Sequence, residues 1–116
     1  MNELDELTNM IRDFCEERDW TQFHTPKDLA IGLVGESAEL LELFRYQDTT
    51  ESLATIAVKR DAVGDELADV LFHLLRFCDL YDFDLSQELK RKMVANAIKY
   101  PKDKVRGKKL KYNEYE

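Results

Sequence analysis

A chain of 116 residues with 44% hydrophobic and 35% charged residues has the size of one folded domain and too much apolar content for a disordered one. Its 4 Gly and 2 Pro are too few for the turns of a sandwich or barrel, so an all-α chain of a few long helices is expected. The net charge of −7 is uneven: segment 102–116 has six Lys/Arg against three acids, which leaves −10 on residues 1–100, a body that repels nucleic-acid polymers.

The start, MNELDELTNMIRDF, has acids where a secretory signal needs basic residues, and no apolar run nears the ~20 residues of a membrane span. A soluble cytoplasmic protein without a membrane partner is expected. Leu7, Met10, Ile11, Phe14 and Cys15 recur at three- and four-residue steps, which predicts an amphipathic helix over 3–18. Residues 19–24 have no period and read as a loop. Thr25-Pro26-Lys27-Asp28 then supplies a cap, a first-turn proline and an acid three residues after the cap, opening a helix over 26–46 of roughly 30 Å. Polar residues 47–52 form the connection, with 53–58 a short helix or a lead-in. A long helix follows over 60–81, tolerating Gly64. Asp84 caps a last helix over 85–100, and Pro101 stops it. The domain therefore spans 1–101, with 102–116 as an extended basic tail. Cys15 and Cys78 lie among apolar residues with no CxxC pattern, which reads as two buried thiols.

The chemistry-bearing pattern is a pair of carboxylate pairs. Glu36 and Glu39 stand three apart, hence on one helix face, flanked by Leu29, Leu33, Leu40 and Leu43; Glu66 and Asp69 repeat this beside Ala62, Val63, Val70, His73 and Phe77. Acids beside an apolar stripe need compensation. In an antiparallel hairpin the numbers of facing residues share one sum, and Glu36 with Asp69 and Glu39 with Glu66 both give 105. Four carboxylates would then converge between two helices, where they raise one another's pKa or hold cations. An all-oxygen set suits Mg²⁺, with Mn²⁺ as substitute. Glu42 continues the three-residue ladder as a further candidate. A single ExxE pair usually marks a solvated face, so the weight lies on the matched pairs.

These residues resemble a known family. Glu36-x-x-Glu39, 26 residues, then Glu66-x-x-Asp69 is similar to the metal signature of the MazG-like nucleoside triphosphate pyrophosphohydrolases, an all-α superfamily. The likeness extends to Arg18-Asp19-Trp20-Thr21-Gln22-Phe23-His24-Thr25-Pro26, to Leu33-Val34-Gly35-Glu36 and to Lys92-Met93-x-x-Asn96-x-x-Lys99-Tyr100-Pro101, which look most like the dCTP pyrophosphatase branch. The resemblance implies a four-helix-bundle-like fold completed by oligomerisation, as a dimer or as a tetramer built from dimers. It further implies Mg²⁺-dependent hydrolysis between the α and β phosphates of a nucleoside triphosphate, with dCTP-like pyrimidines as substrates and pool control or sanitation as the purpose. Glu36, Glu39, Glu66 and Asp69 become metal ligands, Glu36 or Glu39 the general base. Trp20, His24, Tyr46, His73, Lys92, Asn96, Lys99 and Tyr100 become candidates for holding base, sugar and phosphates. Tyr46 stands where that branch tends to have tryptophan, and His73 where it tends to have tyrosine.

The chemistry is consistent from below. A nucleoside triphosphate approaching a body of −10 needs cations in the binding surface. Lys92, Asn96 and Lys99/Tyr100 recur along one helix face as donors for phosphate and sugar oxygens, and Trp20 or Phe23 offers a ring for stacking on a base. Two other classes share the acidic pattern: a non-enzymatic helical adaptor with a basic partner, and a carboxylate-bridged di-iron bundle. The second normally uses Glu-x-x-His, whereas His73 lies four residues after Asp69 and seven after Glu66.

Overall fold

The computed structural model describes residues 1–109, and every regular element among them is helical. Helix α1 spans Glu3–Glu17 and opens on a reciprocal capping box. The Asn2 side chain accepts the Asp5 N–H at 2.8 Å, and the Asp5 carboxylate accepts the Asn2 N–H at 3.4 Å. The loop expected over 19–24 contains a single 3₁₀ turn, Thr21–Phe23, entered through Asp19 in the left-handed region at φ 54°. Helix α2, Pro26–Glu42, starts as the sequence predicts, with Thr25 Oγ1 accepting the Asp28 N–H at 3.1 Å.

The end of α2 differs from the expectation. The helix stops at Glu42 rather than Tyr46. Residues 43–46 tighten into turns, with Phe44 N–H donating to Leu41 O at 2.9 Å, and Tyr46 takes φ 66°. The cause lies in the next six residues. Asp48 and Glu51 form a second capping box that starts helix α3, Thr49–Val58, so the chain must leave α2 early enough to enter it. Most of the polar stretch read as a connection is thus the first turn of a helix. Buried Thr55 holds the corner, its hydroxyl 2.9 Å from Gln47 Oε1 and 3.0 Å from Glu51 O.

Helix α4, Arg60–Leu80, follows almost directly. Residues 1–82 form one compact unit, and the chain from Phe83 onward forms a second. In the second unit Asp84 caps helix α5, Leu85–Lys99, by accepting the Gln87 N–H at 3.2 Å, and one helical turn, α6, covers Lys102–Val105. The first residues of the expected extended tail are therefore helical, and 110–116 lie outside the described residues.

Within the first unit α2 packs most extensively on α4, while α1 and α3 also contact α4. The α2/α4 pair is antiparallel: Gly32 meets His73, Glu36 feels Asp69, and Glu39 reaches Glu66, so numbers rise on one helix as they fall on the other. Leu29 and Leu75 are buried in this unit together with Cys15. Cys78 is a half-buried thiol. Phe14 of α1 sets its ring edge-on against Phe72 of α4 at 6.3 Å and against Trp20 at 5.5 Å.

Candidate active site

Three carboxylates converge where α2 passes α4. One oxygen each from Glu36, Glu39 and Glu66 lies within 4.8 Å of the others. Helical spacing puts the first two on one face of α2, and the antiparallel register brings Glu66 opposite. Asp69 is exposed and outside this tight trio, yet near enough for its charge to act on both Glu36 and Glu66. The pairing by constant residue-number sum therefore places Glu39 against Glu66, with the Glu36/Asp69 pair looser. Glu42, the further ladder candidate, stands apart in an exposed ion pair with Arg45 at 2.7 Å.

Gathering these acids changes their titration. Glu66 is pushed up to about 7, first by removal of its carboxyl from water, then by the close approach of the Glu39 carboxyl and by the charges of Glu39, Glu36 and Asp69. Glu36 is raised by the same withdrawal from water and by Glu39 and Asp69, with His73 pulling the other way. Glu36 Oε2 and Glu66 Oε2 are both closed off from solvent without a hydrogen-bond partner. Two solvent-excluded carboxyl oxygens without a hydrogen-bond partner, in an all-oxygen set, are what a hard divalent cation satisfies. The set lacks the imidazole that an iron centre of the Glu-x-x-His type requires. His73 is committed elsewhere: its Nδ1 lies 2.9 Å from the Asp69 carbonyl oxygen, which only accepts, and its Nε2 edge rests on Gly32.

The loop carrying Trp20 and His24 is held by α4. Arg76, 1% exposed, donates through Nε to His24 Nδ1 at 3.0 Å and through Nη2 to Thr21 Oγ1 at 2.8 Å. The Tyr81 hydroxyl donates to the His24 carbonyl at 2.6 Å. Asp79 faces Arg76 at 3.7 Å and is itself gripped by both ends of the Arg12 guanidinium, at 2.9 and 2.5 Å. Trp20, 40% exposed, leans on Phe14 and leaves part of its ring to solvent.

The remaining predicted contacts are dispersed. Tyr46 is 90% exposed under the Arg45 guanidinium. Lys92, Asn96, Lys99 and Tyr100 lie on α5 and at its end in the second unit, Asn96 half-buried and the others exposed. Arg76, Tyr81 and Gly32 were not singled out from the sequence. Two of them have a signal in the sequence: Arg76 as an arginine on the inward stripe of α4 beside Phe72, and Gly32 through the sum of 105 that it shares with His73, while Tyr81 has none.

Comparison with known proteins identifies the family of the chain. Residues 33–115 match the MazG-like family. Over 113 residues the chain is 38% identical to dCTP pyrophosphatase 1 of Mus musculus and 35% identical to that of Homo sapiens, covering 96% of this chain and 66% of each relative. The chain thus spans about two thirds of the length of the curated relatives it matches. A crystal structure of a pyrophosphatase from Archaeoglobus fulgidus superposes with a TM-score of 0.84 at 37% identity, over 87% of this chain and 94% of that one. An all-helical chain with facing ExxE and ExxD pairs, matched over these lengths, belongs to the MazG-like family.

Proposed function

We propose that the protein hydrolyses nucleoside triphosphates between the α and β phosphates, releasing a monophosphate and pyrophosphate. Among substrates we favour dCTP-like pyrimidine deoxynucleotides, on the names of the relatives. The observation that carries the reading is the carboxylate trio with two buried, unpartnered oxygens. Glu36, Glu39 and Glu66, joined by Asp69, would hold Mg²⁺, with Mn²⁺ able to replace it. A bound divalent cation supplies neutralisation of phosphate charge and acidification of water.

The chain's own groups account for the rest. Glu36 or Glu39 takes a proton from the attacking water. The water oxygen forms a bond to the α-phosphorus, the bond from that phosphorus to the bridging oxygen breaks, and pyrophosphate leaves. Trp20 offers an accessible ring face to a base, and His24 a hydrogen bond. Tyr46 and His73 are further candidates on the base side, while Lys92, Asn96, Lys99 and Tyr100 offer donors for phosphate and sugar oxygens from one face of α5. A homo-oligomer, dimer or tetramer, is part of the proposal. It is supported by Ile31, Val34 and Leu41, which form a second apolar stripe on α2 that is 58%, 69% and 59% exposed. A cytoplasmic setting and a role in controlling or cleansing the nucleotide pool belong to the same reading.

The test is a panel of ribo- and deoxynucleoside triphosphates incubated with Mg²⁺ or with chelator. Cation-dependent pyrophosphate release, fastest with dCTP, is expected; no turnover of any nucleotide defeats the proposal. A protein that instead bound a basic partner and showed no shift in melting temperature with Mg²⁺ would be an acidic adaptor.

A further inference from the structure

Arg76 is the one charged residue among the described residues that is fully buried, and a buried guanidinium needs a partner for each of its faces. Only one partner here is an anion, Asp79 at 3.7 Å, and that carboxylate is shared with Arg12. The others are neutral and lie on the loop: Thr21 Oγ1 and His24 Nδ1. Guanidinium nitrogens only donate, because the group stays protonated and has no free lone pair. The bond at 3.0 Å from Arg76 Nε to His24 Nδ1 therefore makes Nδ1 an acceptor. An imidazole whose Nδ1 accepts is neutral and carries its proton on Nε2.

We infer that Arg76 is a positioning residue for nucleotide binding: it fixes His24 as a neutral imidazole whose Nε2–H is a single directional donor to an acceptor oxygen of the nucleotide. The inference rests on the activity proposed above and extends it to a residue that does not itself touch the substrate. His24 is bonded to Arg76 of α4 and lies close enough to His73 to feel its charge, and His73 in turn acts on Glu36. Burial, then Arg76, then His73 hold the His24 imidazole below its ordinary pKa, in keeping with the neutral form. Tyr81, bonded to the His24 carbonyl, fixes the backbone beneath the ring. Thr21, on the same guanidinium, ties down the residue next to Trp20, so one buried cation sets both predicted loop contacts.

The direct test is the ¹⁵N NMR spectrum of the imidazoles in the wild-type protein near neutral pH. His24 neutral with the proton on Nε2 is expected; an Nδ1–H tautomer or an imidazolium overturns the inference whatever the enzyme turns over. Two variants test the consequence for substrate. His24→Asn keeps an acceptor near the Nδ1 position and loses the outward donor. It should melt close to wild type and raise KM for dCTP roughly five- to tenfold with kcat little changed, the loss of one hydrogen bond. Arg76→Lys replaces two directed hydrogen bonds with a point charge and should raise KM similarly, with the His24 tautomer no longer uniform. An active enzyme whose KM is unmoved by His24→Asn overturns this inference alone. A wild-type protein that hydrolyses no nucleotide overturns the proposed activity and the substrate half of this inference together, and the tautomer then shows whether the structural half stands.

Discussion

Gly32 and His73 touch across the α2/α4 seam so closely that a Cβ on Gly32 would lie 2.5 Å from both Cδ2 and Nε2 of the imidazole. Real atoms do not approach that far. The ring is not free to yield, since Nδ1 is bonded to the Asp69 carbonyl at 2.9 Å and Phe72 stands edge-on at 5.4 Å. The glycine is needed for close helix approach one turn from Glu36, which sets how near the facing carboxylates come.

Gly32→Ala should therefore destabilise the protein by about 1–3 kcal/mol, the cost of overpacking, despite the ~1 kcal/mol by which alanine favours a helix. Urea denaturation measures this. The double variant Gly32→Ala/His73→Ala should recover most of the loss; an unaltered Gly32→Ala midpoint would show that the helices do not meet as described.

The raised Glu66 pKa makes a stability prediction with a definite sign. The group titrates at about 7 folded against an ordinary 4.5, so the folded state binds the proton more tightly. The resulting stability is complete below about pH 4.5 and is lost as pH rises through 7. Melting temperature in chelator should fall across this window, and Glu66→Gln should flatten the fall. Mg²⁺ should raise the melting temperature more at pH 8 than at pH 5. An equal effect of Mg²⁺ at both would contradict a site whose acids compete with protons.

Replacing Glu36 by Gln keeps volume and removes charge. Steady-state turnover should drop by about 10²–10⁴-fold if Glu36 is the general base, and the Mg²⁺-induced rise in melting temperature should shrink as well. Glu42→Gln, an exposed residue paired with Arg45, should leave both within about twofold.

The apolar stripe on α2 makes a prediction about assembly. Light scattering should give twice or four times the chain mass, and Val34→Glu, at a residue 69% exposed in the single chain, should lower it. A monomeric wild type would contradict the proposed oligomer.

The helices and the meeting of Glu39 with Glu66 were legible in the sequence, because period and register follow from local rules. Thr25 and Asp84 announced α2 and α5 by capping chemistry, and the shared residue-number sum needed only that two helices pack antiparallel. Tyr46 misled: its left-handed backbone ends the α2 region without glycine or asparagine, the residues that usually signal such a conformation. Asp48-Thr49-Thr50-Glu51 was a capping box hidden in a stretch that also reads as a polar linker. Arg76 escaped for a different reason. Its partners His24 and Thr21 lie 52 and 55 residues away, and no periodicity relates a side chain on one helix to a loop two helices earlier.

Which phosphate bond breaks is read directly by ³¹P NMR of dCTP incubated with the wild-type protein and Mg²⁺. Resonances of dCMP and pyrophosphate should grow together and be absent when chelator is present. Orthophosphate with dCDP, or an unchanged triphosphate spectrum, would contradict the proposed cleavage.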